Sequence, residues 1–105
     1  MNWNNSENEN LVDAILALEN RDETRRFLRD LLTEDEIAEF SKRFKAAQML
    51  LDKIPYSIIE QTTGLSSTTV ARVAKWLNGK QGGYKLIISK LHHRNQSSRE
   101  EIGGA

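Results

Sequence analysis

The sequence predicts an all-α fold of six helices that contains a helix-turn-helix. Three observations carry this prediction. Apolar residues recur at spacings of three and four rather than in alternation. Side chains that cap helices stand just ahead of those apolar runs. The single proline, Pro55, and Gly64 fall between runs, where breakers belong.

The first helix is expected from Asn8 to about Asn20. Leu11, Val12, Ile15, Leu16 and Leu18 form its stripe, and Ser6 with Glu9 forms a capping box at its start. Asp22 is expected to cap the second helix, which carries Phe27, Leu28, Leu31 and Leu32. Thr33-Glu34-Asp35-Glu36 is the clearest helix start in the chain. Thr33 and Glu36 have the spacing of a reciprocal capping box, and three acids suit the positive end of the helix dipole. The long helix that follows shows Ile37, Phe40, Phe44, Ala47 and Leu51, a seam with heptad spacing. That spacing serves a core stripe and a dimer seam equally well.

Pro55 ends the long helix and opens a short one, with Ser57 and Glu60 as a competing capping box. Gly64 ends the short helix. A fifth helix runs from about Ser67 to Leu77 with Val70, Val73 and Leu77 buried. After the glycine-rich loop 78–83, a last helix is expected from Tyr84 to about His92. A strand over Leu86 to Ser89 is the alternative there. Residues 1–9 read as a flexible N-terminal segment, 10–93 as the folded domain and 94–105 as a disordered tail.

With 105 residues, 38% hydrophobic and 7% aromatic, the chain has one modest, mainly aliphatic core. Such a core often gains by pairing with a second copy. The absence of cysteine excludes disulfides, thiolate zinc sites, iron–sulfur clusters and a cysteine nucleophile. No run is long and apolar enough for a membrane span, and the start lacks a signal-peptide pattern, so the cytoplasm is the default expectation. The zero net charge conceals a division. Residues 1–40 hold 4 basic and 11 acidic side chains, whereas residues 41–94 hold 10 basic and 2 acidic ones. Segregation of this kind suits a polyanionic partner, or two faces that attract each other within a dimer.

The stretch from Pro55 to Leu77 carries the function. A glycine opens the turn of a helix-turn-helix because the backbone there takes positive φ. Ile59, Leu65, Val70 and Val73 stand at offsets −5, +1, +6 and +9 from Gly64, which fits that motif. Glu60 departs from it, occupying a place that usually holds a small residue. Ser66, Ser67, Thr68 and Thr69 put short hydroxyl side chains at the start of the second helix, able to approach phosphates and base edges closely. Arg72 follows on the same side with the fork that grips guanine, and Lys75 continues that side. No acid occurs from Gln61 through Ser98. The bland alternative is that Ser67-Thr68-Thr69 only caps a helix of an ordinary bundle.

The order of the whole chain resembles the Trp repressor family, and more closely its Trp-repressor-like YerC/YecD branch. The residues that carry the resemblance are Leu32 to Glu36, Arg43, Pro55-Tyr56, Thr63-Gly64, Ser67 to Val73, Leu77-Asn78 and Gly83-Tyr84, within about residues 10 to 92. The resemblance implies a six-helix Trp-repressor-like fold, an intertwined homodimer and a regulator that binds double-stranded operator DNA. It also implies a place for an amino-acid corepressor, which Thr33, Arg43, Thr69 and Arg72 match by position. Val73 and Trp76 stand where the tryptophan-binding repressor has glycine and serine. Their bulk is expected to fill that pocket, so no cofactor and no small-molecule effector is expected.

The expected DNA-binding set is therefore Ser66, Ser67, Thr68, Thr69, Arg72 and Lys75, with Tyr56, Arg43 and Lys45 as backbone contacts. The rival is a helical interaction module or transposase-type accessory protein whose helix-turn-helix is vestigial. No catalytic site and no metal site is expected. Adjacent His92 and His93 point about 100° apart on a helix and cannot share a metal. Near a helix end they would instead face the negative dipole or phosphates. The glycines at 79, 82 and 83 lack the ending of a phosphate loop.

Overall fold

In a computed structural model the described residues, 1–103 for the backbone and 1–95 for side chains, form six helices and no strand. They are α1 (Ser6–Leu16), α2 (Arg21–Leu31), α3 (Glu34–Leu51), α4 (Tyr56–Thr63), α5 (Ser67–Leu77) and α6 (Gly83–Gly103). The chain divides within α3 into two compact units, Met1–Ile37 and Ala38–Ala105.

In the first unit the caps differ from expectation. Asn5, rather than Ser6, caps α1, its side chain accepting the N–H groups of Glu7 at 2.8 Å and Asn8 at 3.3 Å. The helix thus begins inside the segment expected to be flexible, and Asn8 Nδ2 also donates to the Asn2 carbonyl at 2.7 Å. Asn20, rather than Asp22, caps α2 by accepting the Glu23 N–H at 2.9 Å. Each stretch offers several polar side chains within three residues, and asparagine is as good a cap as serine or aspartate. Neither α1 nor α2 contains a buried residue, and Leu11, Ile15, Leu16 and Leu31 are exposed.

The start of α3 is as expected. Glu36 N–H donates to Thr33 Oγ1 at 3.1 Å, and Thr33 N–H donates back to Glu36 Oε1 at 3.0 Å. The Thr33 backbone N–H, and after it the Thr33 hydroxyl, hold the Glu36 carboxyl below the usual glutamate range. A lowered carboxyl stabilises the fold above its ordinary pKa, and that contribution disappears as pH falls through the lowered value. The melting-temperature gap between the native chain and Glu36→Gln should therefore shrink once pH drops below about 4.3. A gap independent of pH would show that the charge contributes nothing.

The second unit holds the core. Ala46 and Ala47 of α3, Ile59 of α4, Leu65 of the turn and Val70, Val73 and Leu77 of α5 are buried together. Met49, Leu50, Leu51, Ile54, Tyr84 and Ile88 pack around them. Ala46 and Ala47 are the residues through which α3 joins this cluster. Of the expected seam on α3 only Ala47 is buried, and Phe40 remains exposed. α5 packs against both α4 and α6.

Pro55 is the N-cap of α4 in extended backbone, not its first helical residue, and no side chain caps that end. The competing Ser57–Glu60 box does not form there. Gly64 ends α4 at φ 76°, where no Cβ would meet a neighbour within 4 Å. Its glycine requirement is thus conformational, not steric. Thr63, the one buried polar residue among those described, donates its hydroxyl to the Ile59 carbonyl at 2.7 Å and accepts the Leu65 N–H at 3.2 Å. Helix α6 takes in Leu86 to Ser89, which excludes the strand alternative, and its backbone continues past His92 to Gly103. No glycine or proline stands between Tyr84 and Ile102 to stop it. His92 and His93 consequently lie within the helix, exposed, with ring centroids 6.4 Å apart, and not at a helix end. Of the segment expected to be a disordered tail, Gly104 and Ala105 lie outside the described residues.

Candidate nucleic-acid interface

The core dictates which side of α5 is free. Val70, Val73 and Leu77 point inward at the three-and-four spacing of one helix face. By the same periodicity Thr68, Arg72 and Lys75 share the opposite face, and all three are exposed. Ser66 is the N-cap of α5. Its Oγ accepts the Thr69 N–H at 3.2 Å and donates to Thr69 Oγ1 at 3.1 Å. Ser66 and Thr69 therefore already hold each other, whereas Ser67 and Thr68 are exposed without a hydrogen bond of that kind. Tyr56, at the first turn of α4, is 47% exposed, which leaves its ring and hydroxyl at the surface. Lys45 on α3 is also exposed.

Arg43 has a different environment from the other basic side chains. Its guanidinium carbon lies 5.5 Å from the centre of the Phe40 ring and 5.7 Å from that of Trp76. Its Nε stands 3.4 Å from Glu39 Oε1, an ion pair that lacks hydrogen-bond geometry and leaves this buried nitrogen without a hydrogen-bond partner. A cation between two aromatic faces gains about 0.5–2 kcal/mol. Arg43 thus ties α3 to α5. The sequence matched Arg43 by position but missed Phe40 and Glu39 as its neighbours, although their offsets of three and four on a helix signal contact.

The expected filling of an effector pocket meets two different outcomes. Val73 is fully buried and is part of the core. Trp76 is 47% exposed and forms a wall of an open groove of about 750 Å³, together with Phe44, Tyr84 and Ile87. Arg43, Thr69 and Arg72 do not line that groove. Thr33 belongs to the first unit, where it caps α3. Among the described residues no group of three or more acids and histidines is placed to hold a metal ion.

Two helices joined at a left-handed glycine, with a hydroxyl-rich and basic outer face on the second, define an all-α helix-turn-helix protein. The chain belongs to the Trp repressor protein family, whose sequence profile matches residues 6–92. The uncharacterized protein YerC of Bacillus subtilis is 33% identical over 88 residues, covering 84% of this chain and 85% of YerC. A crystal structure of a Trp-repressor-like protein from Eubacterium eligens superposes with a TM-score of 0.81 at 36% identity, covering 86% of this chain and 93% of that one. A Staphylococcus aureus protein described as a candidate Trp repressor gives a TM-score of 0.80 at 35% identity, with 88% and 95% covered. Among the described residues no helix is long and apolar enough to cross a membrane.

Proposed function

We propose that this protein is a transcriptional regulator, without enzymatic activity, that binds double-stranded DNA sequence-specifically as a homodimer in the cytoplasm. The observation that carries this reading is the outer face of α5. Thr68, Arg72 and Lys75 lie exposed along it, opposite a buried stripe, within a stretch that has no acid from Gln61 through Ser98. Ser66 and Thr69 order the helix start, and Ser67, Thr68, Tyr56 and Lys45 are the further contacts. Arg43 acts by holding α5 rather than by gripping phosphate, because its guanidinium lies against both Phe40 and Trp76.

The homodimer reading rests on the family and on apolar surface left uncovered in the single chain. Leu11, Ile15 and Leu16 of α1, Phe40 of α3 and Leu86 and Ile87 of α6 are all exposed. A second copy of the chain is the occupant we propose for these faces. A two-fold dimer would set its α5 helices about one DNA turn apart, roughly 34 Å. Light scattering should give twice 12.0 kDa, and retention on duplex DNA should fall steeply with salt, as counterion release requires. A stable monomer would remove the intertwined dimer. Failure to retain duplex at any salt would favour the rival, a protein-interaction module.

DNA binding should not need tryptophan. Trp76 already supplies an indole against Arg43, and Val73 is fully buried in the core, where a glycine would leave a gap. Calorimetry with L-tryptophan should show no heat of binding. A tenfold rise in DNA affinity on adding it, about 1.4 kcal/mol of coupling, would overturn effector independence.

A further inference from the structure

Lys53 is the one described non-glycine residue with positive φ, at 62°. It ends α3 in the double hydrogen bond that closes many helices. Lys53 N–H donates to the Leu50 carbonyl at 3.1 Å, and Ile54 N–H donates to the Met49 carbonyl at 3.1 Å. Glycine usually holds this left-handed position, since a Cβ there crowds the backbone. A lysine is thus kept at a conformational cost, and a strained residue of this kind points to a use for its side chain.

The surroundings indicate the use. Lys53 lines a groove of about 450 Å³ with Tyr56, Asn78 and Lys85, over an apolar floor that includes Leu50 and Leu77. The polar side chains on it are two amines, a phenol and an amide. No carboxylate lines it, and Asp52, next to Lys53 in the chain, is not part of it. Both lysines are exposed and have no ion-pair partner among the described residues. Such a groove suits a phosphate-bearing chain. It is continuous with the candidate interface through Tyr56, at the start of α4.

We propose that Lys53 and Lys85 grip the DNA backbone beside the helix-turn-helix, extending the interface beyond α5. The inference rests on the DNA-binding reading above. The competing role for Lys53 is purely structural, a cation offsetting the negative end of the α3 dipole.

The test uses the full chain and a mixed-sequence duplex titrated between about 50 and 200 mM salt. Lys53→Gly relieves the left-handed strain, so it should melt no lower than the parent. It should also flatten the salt slope by about 0.9 for each phosphate that is no longer neutralised. Lys85→Ala should flatten the slope equally, and Lys53→Arg should restore the parent slope. A lower melting temperature for Lys53→Gly with an unchanged slope would assign Lys53 to the helix end and overturn the proposal. A parent retained on the duplex, with unchanged slopes in both Lys53→Gly and Lys85→Ala, would overturn this proposal alone. A parent not retained at any salt would overturn the DNA reading and this inference with it.

Discussion

Truncating Ile59 to alanine is expected to remove about 2–5 kcal/mol of folding stability, the range for deleting a buried aliphatic side chain. Ile59 is completely buried and is one of seven buried apolar residues that join α3, α4, the turn and α5. The cost within that range depends on how far the neighbouring side chains of the cluster can collapse into the space it leaves. The loss is a large share of the roughly 5–15 kcal/mol typical of a folded domain. Denaturant unfolding should show a lower midpoint with an unchanged slope, and Ile59→Val should cost only about 0.5–1.5 kcal/mol. Because α4 and α5 meet through this residue, affinity for DNA should fall with stability. An unshifted midpoint for the alanine variant would mean that the helix pair is held by something other than this core.

The second large effect concerns base reading. Arg72→Ala should lose about 1–3 kcal/mol of discrimination at one base pair per half-site, since a bidentate guanidinium separates guanine from the other bases. Arg72 is exposed on the outer face of α5, one turn beyond Thr68, and has no ion pair among the described residues. Lys75→Ala should weaken binding evenly across sequences and flatten the salt slope. Selecting sequences from a random duplex pool with each variant separates the two roles. If the Arg72→Ala variant selects the same sequences as the parent, the arginine touches phosphate and the base-reading assignment is wrong.

Helix periodicity made most of the fold legible. The offsets around Gly64 identified the turn, because burying Ile59, Leu65, Val70 and Val73 together leaves few alternative crossings of two short helices. The reciprocal bonds of Thr33 and Glu36 were readable because that pair has both the residue types and the spacing, with three acids behind it. The starts of α1 and α2 were not, because Asn5 competes with Ser6 and Asn20 with Asp22. The end of α6 was misplaced because a polar stretch without glycine or proline can still be helical. On the candidate site, the face bearing Thr68, Arg72 and Lys75 followed from periodicity alone. The contact of Arg43 with Trp76 depends on how α3 meets α5, which no local pattern encodes. The left-handed Lys53 had no signal at all, since Asp52-Lys53 lacks the glycine or asparagine that announces such a helix end.

Thr63 gives the turn an internal clock. The Leu65 amide is in a loop, yet its hydrogen is bound to the Thr63 hydroxyl and the residue is almost wholly covered. A loop amide normally trades its hydrogen with water quickly, whereas this one must first leave the Thr63 hydroxyl and be uncovered, as it is when α4 and α5 part. Its deuterium uptake therefore reports the rate at which the helix pair opens, from a position between the two helices. Any duplex that clamps both helices should slow that uptake, even though it need not touch Leu65.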